Sequence, residues 1–362
     1  MAHIQPFCFF MLKVISNIRF PLCVLIIFMH CDPLQFTSGE ELFLAYQNFR
    51  LFSLEFIFRL CVPLFFIISG YLFFLTIDEF SFATYKNKIR HRVSSLLIPY
   101  FVWNLITLLL YFIGCTLLFP MPSGKPIVEY NIQDFLFCFW DMGRVTGNPE
   151  VTGLVIDTPL WFIRDLFIVS LLSPIIYILL KKTKGFILLL PAVLWATESC
   201  SSLFAPGDQA IFFFSLGAFG GIKKCNLPIV SSQNASLLLG LYIVSSILLF
   251  STDLFETRWI KHINDLLGIA TFLAITSCVT NLNVTVHPTL TNSCFFLYAY
   301  FQLPLLLTQK IMVPKLAFLG EYGMFLSFFL CGFIVLFIGI GCYYLLKRFA
   351  PKLLYNILCG GR

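Results

Sequence analysis

An arginine and a histidine interrupt one apolar run, Arg19-Phe-Pro-Leu-Cys-Val-Leu-Ile-Ile-Phe-Met-His30. Ionisable groups in such a run are functional candidates by default, because lipid makes them expensive. An imidazole can take and return a proton near neutral pH, so His30 reads equally as a proton-transfer group or as a satisfied interfacial histidine. Helical rise puts the two groups about 16 Å apart. They cannot touch, and they must serve different parts of one pathway. Asp32 follows two residues later and would face away on a continuing helix.

A second constellation begins at Glu55-Phe-Ile-Phe-Arg59 and continues through Pro63 to Ser69-Gly70-Tyr71. Glu55 and Arg59 are spaced to pair on one helix face. Pro63 removes a backbone hydrogen bond and can kink the helix. Ser69-Gly70 offers a small face that a neighbouring helix or a ligand can approach closely. By depth, Arg59 is expected to meet His30 at the outer end. A third constellation puts Trp161, Arg164 and Asp165 on one helix face. Two readings stand side by side there: an interfacial aromatic with a solvated boundary pair, or an aromatic and polar wall suited to a sugar. His91, His262 and His287 fall in expected loops and are read as solvated; His3 is terminal.

These groups need elements to hold them. The 362 residues are 59% hydrophobic and only 12% charged, with 44 Phe and 14 Tyr. A soluble domain carries about twice that charge, so the composition excludes a soluble globule and calls for a polytopic, all-α integral membrane protein. No hydrophilic block is long enough for a second domain, so residues 1–362 are read as one. The N-terminus reads as a membrane helix rather than a cleaved signal. About 20 apolar residues span a bilayer, which predicts ten transmembrane helices over 12–31, 52–77, 96–119, 159–180, 185–204, 209–222, 234–252, 264–280, 292–309 and 322–346.

Charge orients the set. Lys86, Lys88, Arg90 and Arg92, then Lys181, Lys182 and Lys184, then Lys223 and Lys224, then the Lys347–Arg362 tail mark cytoplasmic loops. The alternate loops are mixed or acidic, as with Glu40 and Glu41, so both termini are expected in the cytoplasm. The net charge of +6 sets topology rather than nucleic-acid binding. The 13 cysteines are scattered, without Cys-x-x-Cys or a Cys/His cluster, and read as buried free thiols, with no metal site. The longest outer loop, about 120–158, contains Pro120, Pro122, Gly124, Gly143, Gly147 and Pro149. It is expected to form an irregular, mobile lid or binding loop.

Taken in order, these segments resemble the acyltransferase 3 family of membrane proteins. Arg-x10-His is that family's first-helix pattern, and Arg59-x-x-x-Pro63-x-Phe-Phe-x-x-Ser69-Gly70-Tyr71 is similar to its second. Further matches are RVSSLLIPYFVW (Arg92 to Trp103), PLWFIRDLFIVSLLSP (Pro159 to Pro174), FFFSLGAFGGIKK (Phe212 to Lys224) and SCFFLYAYFQLP (Ser293 to Pro304). The resemblance implies an O-acyltransferase of a plasma membrane, the bacterial inner membrane. It would move an acyl group, most simply acetyl, from cytoplasmic acyl-CoA to a hydroxyl of a carbohydrate or lipid-linked glycan. It implies His30 as the base that deprotonates the acceptor.

On that reading Arg59 would hold the acyl oxygen or position the acceptor, with Glu55, Trp161, Arg164 and Asp165 toward the acceptor. Arg19, Ser69, Lys88, Arg90 and Arg92 would receive CoA. Two departures from the family pattern stand out. Ser95 occupies the place of a second arginine after Arg92, and Tyr300-Phe301-Gln302 stands where many members carry a histidine. The alternative class is a transporter or flippase of a polar or sugar-linked solute, which also uses intramembrane arginine and histidine.

Overall fold

The computed structural model describes residues 6–37, 43–77, 79–117, 125–198, 205–224 and 232–361. His3, Glu40, Glu41, Pro120, Pro122 and Gly124 lie outside the described residues. All regular elements among the described residues are helical. The chain opens with α1 (Pro6–Met29), α2 (Leu44–Phe56), α3 (Cys61–Leu75), α4 (Phe82–Arg92) and α5 (Ile98–Leu117). The short α6 (Ile132–Phe137) and α7 (Met142–Thr146) lie in the long loop. Then come α8 (Trp161–Leu171), α9 (Ser173–Lys182), α10 (Leu189–Thr197), α11 (Asp208–Lys223) and α12 (Ser232–Ser251). The chain closes with α13 (Arg258–Asn281), α14 (Pro288–Tyr300), α15 (Gln302–Leu316), α16 (Glu321–Phe349) and α17 (Lys352–Cys359).

Six stretches among the described residues are long and apolar enough to cross a membrane: Phe9–Phe36, Leu44–Leu75, Phe82–Gly114, Asn234–Ser251, Arg258–Asn281 and Glu321–Phe349. Two bent pairs, α8 with α9 (58°) and α14 with α15 (70°), raise the number to eight if each is one span. Pro174 in the first turn of α9 and Pro304 in that of α15 cannot donate the backbone hydrogen bonds that would continue the preceding helix. The described residues therefore form a helical, multi-pass membrane protein with six to eight candidate spans against the ten expected, and residues 199–204 of expected span 185–204 lie outside them. Expected spans 185–204 and 209–222 are short helices, Phe186–Thr197 and the 16-residue α11. At 1.5 Å per residue α11 is about 24 Å long, short of the roughly 30 Å hydrocarbon core. Gly207 before it and Lys223-Lys224 at its end set that length.

The second span also differs from expectation. It begins at Leu44 and is broken at Ile57, six residues before Pro63, by a tight turn over Phe58–Leu60. Pro63 sits in the first turn of α3, where a missing N–H is tolerated.

The core of the bundle is built on the α3–α11 pair, the most extensive helix contact among the described residues. Apolar side chains gain little by meeting one another in lipid, so close van der Waals packing must hold these helices. Gly70 faces the Phe214 carbonyl and Gly217 faces the Ile67 carbonyl, each too close for a Cβ atom. Small residues here let the two backbones touch. A Gly217→Val substitution should force the pair apart and lower stability by about 3 kcal/mol, the upper end of overpacking costs. The thermal midpoint of the detergent-purified protein measures this, and an unchanged midpoint would refute the backbone contact as a main support.

Candidate active site

One cavity of about 570 Å³ opens among α1, α3, α4, α8 and α14. Among the described residues its charged lining is cationic: Arg19, Lys88 and Arg92, with His91 beside them and no carboxylate. Ser69, Thr84, Asn87 and Ser95 add polar groups, and Phe65, Ile68, Leu72, Phe162, Leu166 and Phe295 make the rest apolar. Four of the five residues expected to receive CoA thus come together: Arg19, Ser69, Lys88 and Arg92. Arg90, the fifth, is exposed and is not among the lining residues.

Local structure explains the arrangement. Ser81 caps α4 by accepting from the Thr84 amide at 3.2 Å, and Arg90, His91 and Arg92 complete the last turn, where cations complement the helix dipole. The helix then widens into a π turn over Val93–Leu97, a feature frequent at functional sites. Arg92 donates to Ser69 Oγ at 2.9 Å, and Lys88 donates to Thr76 Oγ1 at 2.8 Å. Both cations lie over the Phe73 ring, at 5.6 and 5.7 Å. Ser95, where the resembled pattern has a second arginine, sits 3.4 Å from His91 Nδ1; His91 is exposed as expected, but it lies on α4 and lines the cavity instead of sitting in a loop. Arg19 differs from its neighbours: its guanidinium faces the cavity with no hydrogen-bond or ion-pair partner among the described residues.

His30 follows directly on the last residue of α1 and does not line the cavity. α1 is continuous, so the rise from Cys23, in the cavity wall, to His30 is about 10 Å. One aromatic ring bridges the gap. Phe301, fully buried at the break between α14 and α15, lies 5.3 Å from the His30 ring and 6.4 Å from that of Tyr298 in the cavity wall. The Tyr300-Phe301-Gln302 stretch, where the resembled pattern often has a histidine, thus places a ring against His30.

The outer constellations are placed differently from expectation. Glu55 and Arg59 do pair, at 2.7 Å, but Arg59 also binds Asp265 at 3.1 Å and Glu55 binds Lys261 at 2.7 Å. This network ties the second span to α13, and no contact joins Arg59 to His30 among the described residues. The break at Ile57 separates Arg59 from the helix whose register had placed it there. His262 is buried on α13 rather than solvated, 3.3 Å from Asp265, with its ring 4.3 Å from that of Trp195 at a 44° tilt.

Arg164 and Asp165 are buried, and their polar atoms are occupied. Arg164 pairs with Asp165 at 2.9 Å and donates to the Gly153 and Trp140 carbonyls, and Asp165 accepts from the Gly207 amide at 3.0 Å. They fasten loops instead of lining an open acceptor wall. Trp161 is half-buried against the main core.

The described part of the long loop is ordered around its own small core of Ile127, Tyr130, Cys138, Met142, Val145 and Ile156 with Leu108 of α5. It is a helical cap and not an irregular lid. The residue missed in the sequence is Arg50. The expected span began at 52, which left Arg50 in a loop, whereas α2 starts at Leu44 and buries it beside His30. The rule that singled out Arg19, a lone cation in an apolar run, applies equally to Phe49-Arg50-Leu51-Phe52.

The described residues form a multi-pass helical bundle with a cationic cavity about 10 Å along α1 from a half-buried histidine. The family model described as an acyltransferase domain matches residues 13–347, and the chain belongs to the acyltransferase 3 family. It is also similar to the serine/alanine racemase of Enterococcus gallinarum, 24% identical over 164 residues, which cover 44% of this chain and 22% of that protein. The match therefore spans about a fifth of that relative's length. No solved structure matches the chain.

The cap's junction with α8 carries a pH dependence. Asp157 is buried, with Thr107 donating to its Oδ2 at 3.1 Å and its Oδ1 unpartnered. Burial pushes its carboxyl up to about 8, against the smaller opposing effect of the Thr107 hydroxyl. The folded state therefore keeps a proton that the unfolded chain loses near its ordinary value of 3.8. Stability from this group is complete below about pH 4, falls as pH rises through about 8, and levels off above. Asp157→Asn should flatten that slope in thermal melts taken between pH 5 and 9. An unchanged slope would show that the group is not protonated in the fold.

Proposed function

We propose that this membrane acyltransferase moves an acyl group, most simply acetyl, from cytoplasmic acyl-CoA to a hydroxyl of a carbohydrate or lipid-linked glycan. The observation that carries the reading is the cavity whose described lining has three cations, no carboxylate and many apolar side chains, with Arg19 unpaired among the described residues. Such a lining suits a ligand with phosphates at one end and a neutral arm and thioester at the other. Lys88 and Arg92 would meet the phosphates, and Arg19 would take a polar group of the arm deeper in. The α4 end of the cavity then faces the cytoplasm, as do both termini, in a bacterial inner membrane.

Chemistry falls to His30. With the thioester carried past Tyr298 and Phe301, the imidazole takes the acceptor's hydroxyl proton and the oxygen attacks the thioester carbonyl. A positioned base is worth roughly 10²–10⁴ in rate. Loss of the imidazole in His30→Ala should remove acyl transfer by about that factor while CoA binding stays intact. Arg19→Ala should instead weaken CoA binding, read by calorimetry on the purified protein. Retained transfer by a folded His30→Ala protein would sink the catalytic assignment, and unchanged CoA affinity in Arg19→Ala would remove its role.

A further inference from the structure

The cation beside His30 is Arg50. Its Nη2 donates to the carbonyl of Met29, the residue before His30, at 2.6 Å. The guanidinium is near enough to act electrostatically on the imidazole. Arg50 is 8% exposed, yet its Nε and Nη1 have no hydrogen-bond partner among the described residues. Asp32 Oδ1 lies 4.0 Å from Nε, within ion-pair range but beyond a hydrogen bond. One helical turn earlier, the Tyr46 hydroxyl is also buried without a partner and interacts with the same Arg50 and Asp32 charges.

Holding the Met29 carbonyl at the end of α1 needs one nitrogen of the guanidinium. Packing gains nothing from the other two, and buried donors without acceptors are costly and rare. Donors kept dry and unpaired beside a base are what a developing oxyanion requires. Arg59 cannot supply them, since Glu55 and Asp265 hold it.

We propose that Arg50, with the Tyr46 hydroxyl as a second donor, holds the carbonyl oxygen of the acyl group during transfer at His30. The inference rests on the acyl-transfer reading above and deepens it. His30 takes the proton of the acceptor hydroxyl as that oxygen bonds to the thioester carbon. The carbonyl π electrons move onto oxygen, and Arg50 stabilises the negative charge. Collapse re-forms the carbonyl and breaks the carbon–sulfur bond. The departing thiolate takes the proton from His30, leaving the ester and free CoA thiol. Asp32 keeps the guanidinium oriented, and the bond to Met29 ties it to the backbone that carries His30.

The test uses the full chain in membranes and in detergent, with radiolabelled acetyl-CoA as donor and cell-envelope glycan as acceptor. Arg50→Gln should lower turnover about 10²–10³-fold, the loss seen when one oxyanion donor is removed. Its KM for acetyl-CoA and its CoA affinity should stay within about twofold of wild type. Arg50→Lys keeps a cation on the Met29 carbonyl, so it should melt as wild type yet remain impaired in turnover. Full turnover in folded Arg50→Gln, or full restoration by Arg50→Lys, would overturn the proposal and leave Arg50 as a helix cap. If neither variant folds, Tyr46→Phe decides, because it keeps the ring and removes only the hydroxyl. Reduced turnover there supports the proposal and unchanged turnover overturns it. A dead His30→Ala beside a fully active Arg50→Gln fails this inference alone, whereas a wild-type protein that transfers nothing from acetyl-CoA fails the reading beneath it.

Discussion

A guanidinium without a counter-ion inside an apolar bundle is the constraint on which this structure turns. Arg19 stands on a continuous α1, faces a cavity, and has no partner among the described residues. An unpaired charge is tolerated at such depth only where it lines a cavity or meets a ligand. The cavity lies among α1, α3, α4, the π turn, α8 and α14, and α3 is packed in turn on α11 through glycine contacts. The same principle sorts the other cations. Arg59 is neutralised by Glu55 and Asp265, and Arg164 by Asp165 and two carbonyls. Those arginines hold the bundle and its cap together. Arg19 and Arg50 keep unsatisfied capacity among the described residues, the first in the cavity lining and the second beside His30.

The broken helices serve the same end. A straight helix presents its side chains at a fixed pitch, and a break lets one residue turn inward. Phe301 at the α14–α15 bend fills the space between the cavity wall and His30. The break at Ile57 aims Arg59 at α13 while α2, which precedes it, carries Arg50 to the end of α1. Local departures from regular helix thus decide which polar groups meet.

Much of this was legible in the residues. Low charge and dense apolar runs required a helical membrane protein, since only closed backbone hydrogen bonding survives in lipid. The ordered motifs over Arg19–His30, Arg59–Tyr71, Arg92–Trp103 and the later segments pointed to the family that the whole-length match shows. The separation of Arg19 from His30 followed from helical rise alone. So did the pairing of Glu55 with Arg59, an interaction within one turn.

What tertiary structure alone decided was partnership across helices. Spacing could group Arg19 with His30 on α1, but not Arg19 with Lys88 and Arg92 around one cavity. It could make Arg164 and Asp165 neighbours, but not show that Gly153 and Gly207 occupy them. It could not bury His262 against Trp195, nor bring Arg50 to Met29. Periodicity reports which face of a helix is apolar. The position of a break and the neighbour facing each polar group depend on packing between segments distant in the chain. The sequence by itself therefore determined the class of the protein, its family and the depth of its two key residues on α1. The fold decided which charges were spent on structure and which were left for chemistry.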